Sequence, residues 1–360
     1  MAQMKPRYFV NSFATVTGAN TYTQRALHAD FDARLAKLPG SETLREKTQK
    51  LYENSNVDTR HLEFSIEEID RRRESSVWHP IVRDSIISLA SRALERVMVR
   101  GIAPADCDAL ITVSAVFDGI PGLSTRIAET SGFRQDTLLF DLGTLACGGA
   151  NHGINQAHLL LETGKCKTVA VICADALNTH AQARRFKALP ELSEVVARVV
   201  PSDTASALVI SRERGVEPIL SYSSCDLAMR SWRGGLNYSV AGTADDGEPA
   251  TSLDKGLRTR IAAEAAVTLV PEVLRNPLCV HPGGTALIRE LAKSEPLLLP
   301  AGEYSAAVLK ANGNVGGSSV LFVLARMLEL GARIDPTLRF LAFLPGAITS
   351  LLTLQDVERG

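Results

Sequence analysis

Hydrophobic positions recur along this chain at two spacings. From Ser41 to Glu53, Leu44, Thr48 and Leu51 return at helical intervals behind Ser41, whose hydroxyl can cap the first turn, so a helix is predicted. From Asp84 to Val99, residues Ile86, Ile87, Leu89, Ala90, Ala93 and Leu94 give a second helix a broad apolar face. Shorter unbroken apolar runs predict a buried strand at Ala109 to Val113 and further strands at Thr137 to Phe140, Val169 to Ile172, Ala306 to Leu309 and Leu338 to Phe343. Helical patterns fill Asn151 to Glu162 and Ser318 to Leu330.

The order of these elements repeats. Strand, glycine-rich turn, helix, glycine and strand follow one another around Cys147 and again around Asn314, with Cys147-Gly148-Gly149 aligned to Val315-Gly316-Gly317. This predicts an α/β fold of two related halves, residues 1–215 and 216–360. The two turns would face one another at the centre, where ligands of open α/β structures bind.

Composition narrows the function. With 45% hydrophobic and only 5% aromatic residues, the 360-residue chain fits a packed α/β protein. A formal net charge of -1 gives no electrostatic case for nucleic acid or an anionic membrane. No apolar run reaches the ~18 residues of a spanning helix. Met1 to Thr17 lacks the sustained apolar stretch of a signal peptide. The six cysteines form no C-x-x-C pair, which reads as reduced, cytoplasmic cysteine. The histidines form no H-x-x-x-H or H-x-H pair, so no metal site is expected. His152, five residues beyond Cys147, falls on a different helix face and reads as a helix residue.

Three residues carry candidate chemistry. Cys147 closes a strand and opens a helix, where free N–H groups and the helix dipole favour a thiolate. The dipole contributes at most ~2 kcal/mol, little more than one pKa unit, so a further cation is expected, and a protonated His281 is the candidate. Asn314, between glycines, offers an amide donor that never titrates. Carbon–carbon bond formation from thioesters needs a thiolate to hold the first acyl group and donors for a developing oxyanion. Losing a malonyl carboxylate as carbon dioxide supplies the carbanion without a strong base.

With these residues the chain resembles the type III polyketide synthases, the chalcone synthase-like branch of the thiolase superfamily. The resemblance rests on Cys147, on Val280-His281-Pro282-Gly283-Gly284-Thr285-Ala286-Leu287-Ile288, and on Gly313-Asn314 through Val320-Leu321-Phe322. It is supported by Lys47 to Leu51, Arg60-His61, and Gly119-Ile120-Pro121-Gly122, and runs over nearly the whole chain. It implies a thiolase fold of duplicated βαβαβ halves in αβαβα layers, and a homodimer. Acyl-coenzyme A and malonyl-coenzyme A are the implied substrates, with no cofactor. The catalytic triad would be Cys147, His281 and Asn314. Lys47, Lys50, Ile120, Pro201, Gly284, Pro345 and Gly346 would line the substrate path, Ile120 from a loop that reaches the partner's cavity.

The chain departs from the family pattern at four places. Ala342 and Leu344 replace glycines in the C-terminal loop, which predicts a more crowded cavity wall. Pro201 replaces a gatekeeper aromatic, and Asn54 stands where a third basic residue meets the coenzyme A phosphates. Asn54 leaves an acyl carrier protein open as an alternative donor. The triad is shared with ketoacyl synthase III, so a single condensation, or acyl transfer to a hydroxyl or amine, is the competing expectation.

Overall fold

The computed structural model describes residues 7–98, 102–143, 145–230, 241–243, 246–251, 278–294, 299–334, 336–344 and 348–360. Seven strands form the larger sheet, in the order Glu358–Arg359, Leu220–Tyr222, Tyr8–Thr17, Asp203–Ser211, Thr168–Ala176, Ala109–Ser114 and Leu138–Gly143. Ala109–Ser114 runs parallel to both neighbours, and Asp203–Ser211 antiparallel to both of its own. Four strands form the smaller sheet, in the order Leu278–Val280, Thr337–Leu344, Ile348–Gln355 and Ser224–Arg230.

Strand periodicity explains the layering. In Thr168–Ala176, Val169, Val171 and Cys173 enter one core, while Ala170, Ile172 and Ala174 enter another. The first core lies between the sheets and receives Ala150, Ile154 and Leu161 of helix Gly149–Glu162 and Val320 and Leu324 of helix Ser319–Glu329. The second packs Ile86, Leu89 and Ala93 of helix Trp78–Val97 on the outer face of the larger sheet. On the far side, helix Leu299–Asn312 rests on Leu278–Val280, with Ser305 Oγ donating to Val280 O at 2.6 Å. Each fully buried Leu, Ile or Val contributes roughly 1.5–3 kcal/mol, so the two apolar faces of the sheet hold the layers together. This αβαβα order is the thiolase fold.

One predicted strand is a helix. Ala306 to Leu309 lies inside helix Leu299–Asn312, where Ser305, Val308 and Leu309 are buried at helical spacing. Four apolar residues fit either period, and the run of good helix formers around them decided the outcome. The helix at Trp78–Val97 also begins six residues earlier than its apolar stripe suggested.

Candidate active site

Cys147 sits in a tight turn, Ala146–Gly148, between strand Leu138–Gly143 and helix Gly149–Glu162. Ala146 holds φ +42, a left-handed conformation uncommon outside glycine, and this bend turns the chain from strand into helix at the cysteine. Asn314 precedes the matching turn, Gly316–Ser318, which opens helix Ser319–Glu329. The two turns do face each other. A Cβ built on Gly149 would lie 3.9 Å from Gly317 Cα, and one on Gly317 would lie 3.2 Å from Ala146 O.

Asn314 is fixed on three sides. Its N–H donates to Val200 O at 2.6 Å, and its C=O accepts from Ser202 N–H at 2.9 Å. The residue pairs in parallel with Pro201, which is buried. The side-chain Oδ1 accepts from Gly316 N–H at 3.1 Å. With Oδ1 committed, the amide NH₂ is the end left to face the sulfur, and the Asn314 side chain acts to lower the Cys147 pKa.

His281 follows strand Leu278–Val280, which pairs in parallel with Thr337–Leu344. Its N–H donates to Leu341 O at 2.8 Å, and its ring meets Phe343 edge-on at 6.0 Å between centroids. A Cβ on Gly283 would come within 2.8 Å of Nε2, so the first glycine of the His-Pro-Gly-Gly segment makes room for the ring. Leu344, next along the same strand, packs over Gly148, where an added Cβ would meet its Cδ1 at 2.4 Å. The end of this one strand therefore touches both the histidine and the cysteine turn.

Burial sets the charge state. It pushes the Cys147 thiol up to about 12, with the charge of Asp175 adding to the rise and the Asn314 hydrogen bond opposing it. Burial likewise depresses the His281 imidazole to about 3. Both shifts run against the expected thiolate–imidazolium pair, because burial disfavours the charged form of each group. A helix dipole of up to ~2 kcal/mol does not offset the desolvation of two groups.

The remaining predicted positions are spread more widely. Lys47 and Lys50 stand on the exposed face of helix Glu42–Glu53, while Thr48 and Tyr52 face inward. Ile120 is 94% exposed and joined to Pro121 by a cis peptide bond. Gly284 adopts φ +153 just before helix Thr285–Ser294. Pro345 and Gly346 lie outside the described residues. His152 lies within helix Gly149–Glu162, half-buried. Among the described residues no group of three or more His, Cys, Asp or Glu could hold a metal ion. No helix among them is long and apolar enough to cross a membrane.

Sequence reasoning missed Asp175. Fully buried at the end of Thr168–Ala176, it accepts from Ala115 N–H at 2.7 Å through one carboxylate oxygen and from Gly317 N–H at 2.8 Å through the other. It thereby ties the Asn314 turn to the larger sheet. Its signal was a lone acid closing the otherwise apolar run Val169 to Ala176.

Comparison with known proteins agrees with this geometry. A family model described as FAE1/Type III polyketide synthase-like protein matches residues 69–189, the stretch that contains Cys147. The C-terminal type III polyketide synthase domain of Steely1 from Dictyostelium superposes with a TM-score of 0.82 at 20% identity, over 97% of this chain and 99% of that one. Over residues 69–189, then, the chain is type III polyketide synthase-like, and its fold is that of the Steely1 domain over nearly the whole length. Among curated relatives, 1,3,6,8-tetrahydroxynaphthalene synthase of Streptomyces griseus is 24% identical over 84% of this chain and 81% of its own. The alpha-pyrone synthesis polyketide synthase-like Pks18 of Mycobacterium tuberculosis is 21% identical over 100% of this chain and 95% of its own.

Proposed function

We propose that this condensing enzyme loads an acyl group from an acyl-coenzyme A on Cys147 and joins it to malonyl-coenzyme A by a decarboxylative Claisen reaction. The observation that carries this reading is the meeting of the two turns that hold Cys147 and Asn314. As the sulfur attacks the thioester carbonyl, the thiol proton passes by way of His281 to the departing coenzyme A sulfur, so that coenzyme A leaves as its thiol and the acyl–cysteine thioester forms. Malonyl-coenzyme A then loses carbon dioxide, and its enolate oxygen is held by N–H donors from His281 and Asn314. The enolate carbon attacks the acyl–cysteine carbonyl, the C–S bond breaks, and the extended chain leaves on coenzyme A. An oxyanion donor of this kind is worth ~2.7–4 kcal/mol.

The exposed ammonium groups of Lys47 and Lys50 suit the phosphates of coenzyme A. Asn54 instead turns back, its Nδ2 donating to Lys50 O at 2.7 Å, which keeps an acyl carrier protein in view as donor. A homodimer is supported by exposed Ile120 and by edge strand Leu138–Gly143, where Leu138 and Leu139 are exposed. Six free cysteines agree with a reducing, cytoplasmic setting. The reading needs no cofactor. One observation favours a second reading, acyl transfer or a single condensation without iteration: Leu344 over Gly148 takes space beside the nucleophile.

The deciding experiment is mass spectrometry of the intact protein and its products, with malonyl-coenzyme A and a panel of acyl-coenzyme A starters. An adduct on the wild type, absent in Cys147→Ala, with products carrying two or more malonyl-derived units, is expected. An adduct without repeated extension selects the second reading. Undiminished activity in Cys147→Ala overturns both.

A further inference from the structure

Arg60 is the largest fully buried side chain of the described residues, and among them it forms no ion pair with a carboxylate. Burial draws its pKa below the ordinary arginine value. A buried guanidinium without such a partner is costly, so its contacts are informative. One amino group, Nη1, donates to two backbone carbonyls, Arg198 O at 2.6 Å and Pro201 O at 3.3 Å. Those carbonyls bracket Val199 and Val200, and Val200 and Ser202 are the residues that bond the Asn314 backbone on its two sides.

The contact continues beneath the turn. A Cβ on Gly313, at φ +72, would meet Val200 O at 2.4 Å and Arg60 Cγ at 3.1 Å, so the arginine stem forms the floor under Gly313-Asn314. The next residue along, His61, donates its N–H to Ser202 Oγ at 3.1 Å, and that hydroxyl donates to Asn312 O. On the other side the guanidinium carbon lies 5.7 Å from the ring centroid of Tyr52, on the inner face of the helix that carries Lys47 and Lys50.

We propose that Arg60 is a positioning residue for Asn314, holding the Val199–Ser202 segment through the Arg198 and Pro201 carbonyls so that the amide stays on the sulfur. The proposal rests on the reading of Asn314 as an oxyanion donor. Arg60 touches no reacting atom and acts only through that backbone. Displacing a catalytic group by about 1 Å costs up to ~100-fold in rate, which sets the size of the effect.

The test uses the full-length protein with Arg60→Met, Asn314→Ala and the double variant, measuring malonyl-coenzyme A decarboxylation. Arg60→Met is expected to lower kcat roughly 10- to 100-fold with KM within about twofold, and to cost the Asn314→Ala background no more than about twofold. Losses that multiply in the double variant would overturn the proposal. Hydrogen exchange gives a readout independent of activity. The Asn314 and Ser202 amides should exchange at least about tenfold faster in Arg60→Met, with Arg60→Lys partly restoring protection. Unchanged exchange overturns the proposal at any activity. If Arg60→Met does not fold, Arg60→Lys carries both measurements. Faster exchange in a protein whose wild type neither decarboxylates nor acylates would sink the catalytic reading and leave the backbone link standing.

Discussion

The two central turns share a sequence pattern and differ in what walls them. The Cys147 turn is closed by a side chain, Leu344 over Gly148, and the Asn314 turn first by backbone, Val200 O under Gly313, with the Arg60 stem behind it. The nucleophile has to change partners during a reaction, from thiol to thioester and back. The donor has to stay where it is while charge appears in front of it. A side-chain wall can yield and a backbone wall cannot, so each half is built for its own task.

Substitutions at the two glycines should break this comparison open. The largest effect is expected from Gly313→Ala, which forces an alanine to φ +72 and into a carbonyl oxygen. Steady-state kinetics should show kcat falling on the order of 10²–10³-fold, as though the Asn314 donor were gone, together with a lower melting temperature. No single second substitution should restore it. A recovery by trimming one side chain would show that the wall is softer than described.

The resting charge state gives the next effect. With the thiol at about 12 and the imidazole at about 3, both groups are neutral across the intervening range. The thiolate fraction then rises tenfold for each pH unit. Alkylation of Cys147 by iodoacetamide should climb about 100-fold between roughly pH 7 and 9 without levelling. A plateau beginning near neutrality would reveal a thiolate–imidazolium pair and overturn the neutral assignment. The smallest effect sharpens the contrast between walls. Gly148→Ala should slow acyl loading about tenfold by pushing on Leu344, and adding Leu344→Ala should return most of the rate. Failure of the second change to rescue the first would mean that Leu344 is not what limits the turn.

Much of this arrangement was legible in the chain. Cys147, His281 and Asn314 stood beside glycines that marked local turns, and the family resemblance is what joined them into one site. The strand at Ala109–Ser114 was equally plain, since a fully apolar run leaves little choice of surroundings. Ala306 to Leu309 misled because four residues are too few to fix a period. The charge state of the cysteine–histidine pair was out of reach for a different reason. It depends on how much protein surrounds each group, and that protein comes from Leu341 and Phe343 for one and from Asp175 and Leu344 for the other. Arg60 was visible only as part of a familiar segment, because its partners lie roughly 140 residues downstream.

Among the described residues the edge at Leu138–Gly143 is bare, which has a consequence for the life of the chain before any chemistry begins. A newly made copy carries an open row of backbone donors and acceptors flanked by Leu138 and Leu139, directly upstream of the reactive cysteine. Any other extended segment can add to that row, so misassembly competes with correct association from the moment of synthesis. For the proposed homodimer, yield of active protein should then depend on how quickly matching copies find one another, more than on how firmly each copy is folded.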